Sequence, residues 1–91
     1  MMHAIKIILK GKVHGVGFRK FAQDCAERLS VTGTVRNATD SSVEIIAEAK
    51  DDDTLSAFLE MIRPGPPKAV VEEVLTEATD HKGFSEFKTI D

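Results

Sequence analysis

Twice along this chain, a stretch with apolar residues every three or four positions is framed by stretches in which they fall on every second position. That order limits the fold more than any other feature. Ile5, Ile7 and Leu9 alternate with Lys6, Ile8 and Lys10, the period of a half-buried strand. Phe18, Phe21, Ala22, Cys25, Ala26 and Leu29 then recur at helical spacing, with Gln23, Asp24, Glu27 and Arg28 on the other face. Val31, Gly33 and Val35 alternate with Thr32, Thr34 and Arg36; Ala38 to Ser42 reads as a turn; Val43, Ile45 and Ala47 alternate with Glu44, Ile46 and Glu48. A second helix starts after Asp51, Asp52 and Asp53, which suit a helix N-terminus, and carries a stripe of Leu55, Phe58, Leu59 and Ile62. Arg63 suits its C-terminal end, and Pro64-Gly65-Pro66-Pro67 stops it. Val70 to Leu75 reads as a fourth strand and Phe84 to Ile90 as a short fifth.

The order β-α-β-β-α-β predicts an α+β, ferredoxin-like sandwich: an antiparallel sheet with both helices on one face. Strands one and two then run parallel with strand three between them, so their ends reach the same edge of the sheet. The glycine-bearing loop 11–17 and the residues near 37 are thereby expected to be neighbours. With 91 residues, 42% of them apolar, the chain is expected to form a single domain over residues 1–91. It is too short for a two-domain enzyme that closes on its substrate. The single cysteine, Cys25, excludes an internal disulfide and a multi-cysteine zinc site and fits a reducing compartment. The apolar run at residues 5–9 is too short for a signal-peptide core or a membrane span, so a soluble, cytoplasmic protein is expected.

Charge is unevenly spread. Residues 1–20 hold Lys6, Lys10, Lys12, Arg19 and Lys20 and no acid, whereas the whole chain has a net charge of −3. The balance argues against general nucleic-acid binding and leaves the N-terminal stretch as either a local anion site or a solvated strand face.

Two positions break local rules. No Ser, Thr, Asp or Asn stands just before the first helix; Gly17 does, and it offers no side-chain acceptor to the backbone N–H groups of the first turn. Arg19 and Lys20 then place two cations where the helix dipole is already positive, each at a cost on the order of 0.3–1 kcal/mol. A bound anion would satisfy those N–H groups and reverse the penalty; the alternative is a tight turn with Arg19 bent to solvent. The second position is Asn37, which shares its phase with Val31, Gly33 and Val35 and so points toward the helix-covered face. It is either a turn residue or a polar group aimed at the glycine loop.

Other chemistries lack their residues. Gly15-Val16-Gly17-Phe18-Arg19-Lys20 has Lys where a dinucleotide fingerprint needs its third Gly, and no GxxxxGK[ST] is present. His3, His14 and His81 have no metal-ligand spacing, so no metal is expected. His14 is an exposed loop residue or an anion contact, and Cys25 sits mid-helix on the apolar stripe, a core position rather than a nucleophile.

Val13-His14-Gly15-Val16-Gly17-Phe18-Arg19, followed by Val35-Arg36-Asn37, Asp40, Val43-Glu44 and Gly65-Pro66-Pro67, resembles the acylphosphatases over nearly the whole chain. The resemblance implies a ferredoxin-like fold and hydrolysis of acyl phosphates to a carboxylate and inorganic phosphate, without metal, cofactor or covalent intermediate. It places the family's catalytic arginine on Arg19 and its catalytic asparagine on Asn37. Backbone N–H groups of Val13, His14, Gly15, Val16, Gly17 and Phe18 are then expected to hold the phosphate. The implied partners are a small acyl phosphate as substrate and inorganic phosphate as product and inhibitor, with no nucleic acid and no membrane; a monomer is expected. The chain departs from the family pattern at His14 (usually Gln), Ser30 (Gly after the helix), Thr34 (an aromatic) and Ser42 (Gly after Asp40), and its C-terminal strand matches loosely. Two other readings of the residues are a phosphate-binding module without hydrolysis and an RNA-binding module of the same element order. The second lacks rings at Lys6, Ile8, Lys10, Glu44, Ile46 and Glu48, the outward strand positions.

Overall fold

The computed structural model describes residues 3–90. The elements are β1 (His3–Lys12), α1 (Phe18–Leu29), β2 (Thr32–Asn37), β3 (Val43–Ala49), α2 (Asp52–Ile62), β4 (Val70–Ala78) and β5 (Phe87–Ile90). They form one five-stranded sheet of order β4-β1-β3-β2-β5. β3 lies between β1 and β2 and is antiparallel to both, and β4 pairs antiparallel with β1, as the element order predicts. The fifth strand, whose partner the periodicity leaves open, adds to β2 in parallel, so the sheet is mixed at that edge.

The inner face is built by register. Ile7, Ile45 and Val35 face one another across three strands, with Leu9 beside Val43, and all five are fully buried. Phe18, Ala22, Cys25 and Ala26 of α1 and Leu55, Phe58 and Ile62 of α2 cover them in the same core cluster. Phe58 meets Phe87 of β5 edge to face at 5.9 Å, which fastens the short edge strand to the core. Among the described residues no helix is long and apolar enough to cross a membrane.

The two helices begin in opposite ways. At α2 the Asp51 carboxylate accepts from the Thr54 N–H at 2.7 Å, and Asp52 and Asp53 occupy the first turn. The Thr54 hydroxyl and then its N–H lower the Asp51 pKa, with the charges of Lys50 and His3 acting more weakly in the same direction. At α1 the cap is Gly17 in the left-handed region, with no side-chain acceptor and no acid in the first turn.

The largest departure from expectation concerns Glu48. It lies in the outward phase of β3 yet is fully buried. The β4–β5 connection folds over it: the N–H groups of Lys82, Gly83 and Phe84 all donate to its carboxylate, and His81 Nε2 lies 3.5 Å away. A buried carboxylate needs such donors. The N–H groups of 82–84 are therefore spent on Glu48 rather than on a strand ladder, and β5 starts at Phe87 rather than Phe84.

Backbone strain falls at Ser30, the α1 C-cap (φ 58°), and at Ser41 (φ 72°) rather than at Ser42. Left-handed geometry disfavours a Cβ, so Ser30→Gly should raise stability by about 1 kcal/mol. An increased urea midpoint with unchanged slope is expected; an unchanged or lowered midpoint would contradict it.

Candidate active site

β1 ends in a bend that reverses into α1, and two glycines make the reversal possible. Gly15 has φ 69° and Gly17 φ 80°, and a Cβ on either would meet no protein atom within 4 Å. Both sites thus demand glycine for backbone conformation, and both face open space. That space is a pocket of about 320 Å³ lined by Val13, Gly15, Gly17, Phe18, Arg19, Lys20, Gln23, Asn37 and Thr89. The sheet edge brings Asn37, at the end of β2, to the loop that follows β1, as the parallel placement of the two strands requires. Arg19 and Asn37 therefore share one pocket.

Val13 and Phe18 are buried and anchor the loop at both ends. The α1 N-terminus opens into the pocket without a capping side chain, and its backbone N–H groups are a ready anion site. Lys20 adds charge at the rim; it is 2.9 Å from Asp24, whose hydrogen bond raises its pKa. A wider groove of about 480 Å³ lies between β1, β4 and α2, lined in part by Asp52 and Glu77. Two carboxylates make it the wrong place for a phosphate, so the smaller, cationic pocket is the candidate.

Of the five N-terminal cations, only Arg19 and Lys20 line this pocket. Lys6 lies instead on the outer sheet face, 3.6 Å from Glu44 and 3.9 Å from Glu77. Cys25 is buried in the core, and burial raises its thiol pKa, which makes it a poor nucleophile.

The side chains of Val16 and His14 turn away from the pocket. Val16 packs against the core. His14 turns the other way: its Nε2 is 2.7 Å from the carbonyl oxygen of Ser42. The same carbonyl accepts from the Ala38 N–H at 2.8 Å. His14 thus ties the glycine loop to the turn directly after Asn37, using a side chain where the loop's backbone faces the pocket. Ser42 is itself held by Asp40, whose carboxylate accepts from both its hydroxyl and its N–H. Gln23 and Thr89 were not singled out from sequence; their joint place at the pocket needs the β5 pairing, which periodicity does not reveal. Among the described residues, no cluster of three or more His, Cys, Asp or Glu side chains has the arrangement of a metal site.

A family model described as acylphosphatase matches residues 5–89. The chain is 44% identical to an acylphosphatase of Treponema denticola over 87 residues, covering 96% of this chain and 92% of that protein. It is 43% identical to an acylphosphatase of Pseudothermotoga lettingae, covering 98% and 99%. In three dimensions it is similar to the acylphosphatase from Bacillus subtilis, with a TM-score of 0.92, 32% identity and full coverage of both chains.

The turn that carries Ser42 has a pH signature. The Ser42 hydroxyl, then its N–H, and more weakly the charge of Lys10 lower the Asp40 pKa. A depressed carboxyl adds stability that is complete above its unfolded value near ~3.9 and is lost as pH falls through the lower folded value. Asp40→Ala should therefore lower the urea midpoint at neutral pH, and the gap from wild type should close in strong acid. An equal gap at both would contradict this role.

Proposed function

The chain belongs to the acylphosphatase family, and on that premise we propose how its pocket divides the work of acyl phosphate hydrolysis. It is an acylphosphatase, an enzyme that splits the carboxyl–phosphate anhydride into a carboxylate and inorganic phosphate. In the proposed arrangement the N–H groups of Val13, His14, Gly15, Val16, Gly17 and Phe18 hold the phosphoryl oxygens at the open end of α1. Arg19 grips two of those oxygens with its planar fork, which a lysine cannot reproduce. The Asn37 amide holds a water on the side of phosphorus away from the leaving oxygen.

Attack by that water forms the new P–O bond as the bond to the acyl oxygen breaks. The bonding pair leaves with the carboxylate, and the water proton passes to a phosphoryl oxygen, giving dihydrogen phosphate. Phosphoryl transfer of this kind needs positioning and charge neutralisation more than a base. Arg19 and the helix terminus supply the positive charge, so the reaction is proposed to run without metal. The carrying observation is that one pocket gathers an uncapped helix start, Arg19 and Asn37. A monomer acting on a small cytoplasmic substrate fits this reading and the single buried cysteine.

The test is phosphate release from benzoyl phosphate, with and without chelator. Equal release is expected; loss with chelator contradicts metal independence, and tight phosphate binding without release favours a non-catalytic anion module. Arg19→Lys should weaken inhibition by inorganic phosphate by about tenfold or more, because the paired hydrogen bonds are lost. Inhibition equal to wild type would refute the role. Asn37→Ala should lower kcat by about two to three orders of magnitude, as deletion of an oriented polar group does, with phosphate inhibition nearly unchanged. Weaker phosphate binding with intact turnover would show the two roles exchanged.

A further inference from the structure

The pocket has more room than a phosphate needs. At about 320 Å³ it could hold on the order of ten waters at roughly 30 Å³ each, and a phosphate has five heavy atoms. Beyond Arg19 and Asn37, its polar lining comes from Lys20, Gln23 and Thr89. Lys20 is engaged by Asp24 and is 79% exposed. Gln23 and Thr89 engage each other: the Thr89 hydroxyl donates to Gln23 Oε1 at 3.1 Å, joining helix α1 to strand β5.

In that arrangement the amide oxygen turns toward Thr89 and the amide nitrogen turns away from it. The acceptor oxygen of Gln23 is occupied by Thr89, while its Nε2 has no protein partner among the described residues. Gln23 lies four residues after Arg19, one helical turn along the same face. A ligand whose phosphoryl group is held by Arg19 therefore meets an amide with two donors to offer. In-line displacement puts the leaving oxygen across phosphorus from the water, and Asn37 is already assigned to the water.

We infer that Gln23 binds the acyl end of the substrate, with Nε2 donating to the carboxylate oxygen that departs, and that Thr89 is a positioning residue for it. This rests on the phosphate placement proposed above. As the P–O bond breaks and negative charge gathers on the acyl oxygen, a donor there gains strength in the transition state relative to the ground state. The unpaired orientation, with Oε1 facing the leaving group, would repel the same charge; the Thr89 bond disfavours it.

The test uses acetyl phosphate and a series of ring-substituted benzoyl phosphates whose carboxylic acids differ in pKa. In Gln23→Leu, kcat should fall about tenfold for the most basic leaving group and less for the others. A plot of log kcat against leaving-group pKa should become steeper, while inhibition by inorganic phosphate stays within about twofold. Thr89→Val should steepen the same plot with a loss of about threefold, and Thr89→Ser should restore wild-type behaviour. Thr89→Val also carries the test if Gln23→Leu folds poorly. An unchanged slope in both variants, or a loss of phosphate inhibition as large as the loss of kcat, overturns the inference. If Arg19→Lys behaves as proposed while the slopes do not move, only the role of Gln23 fails. A wild-type protein that releases no phosphate overturns both.

Discussion

A helix that starts with no side-chain acceptor for its N–H groups, and with two cations in its first turn, offers an anion a place to bind. Everything distinctive about this molecule is arranged around that start. Gly17 replaces a capping side chain, Arg19 and Lys20 add to the positive end of the dipole, and the first turn holds no acid, although Asp24 one turn on pairs with Lys20. α2 shows the ordinary solution in the same chain, with Asp51 capping and two further acids in its first turn. The contrast singles out this helix start as the place where an anion would be stabilised.

The rest of the fold holds partners around that helix end. The β4-β1-β3-β2-β5 order brings the ends of β1 and β2 to one sheet edge, which delivers Asn37 to the glycine loop. The His14 side chain fixes this approach by reaching the Ser42 carbonyl, and Asp40 secures Ser42 in turn. β5 completes the pocket wall with Thr89, and two separate contacts keep that strand in place: Phe87 against Phe58 in the core, and the connection over Glu48. A buried carboxylate far along β3 thus supports a strand that lines the site.

The main elements were legible because the hydrophobic period changes cleanly between them. The uncapped start of α1 and the inward phase of Asn37 were legible because each breaks a local rule. What escaped depends on contacts between distant positions. Glu48 has the phase of a solvated residue, and its burial follows from a loop more than thirty residues later. His14 meets a carbonyl 28 residues away, and Gln23 meets Thr89 across 66. The left-handed residue in the β2–β3 turn is Ser41 rather than Ser42, because the Ser42 side chain and N–H are both drawn to Asp40. Such pairings leave no periodic trace in the residues on either side.

In the proposed arrangement a doubly charged oxyanion is held by backbone amides at the loop–helix junction. Titrating inorganic phosphate into isotope-labelled protein while following backbone amide resonances tests it directly. The largest shifts should fall on residues 13–19 and on the Asn37 side-chain amide, saturating at the concentration that inhibits hydrolysis. Shifts centred instead on the groove between Ile5, Leu55 and Leu59, with the loop amides unmoved, would contradict it.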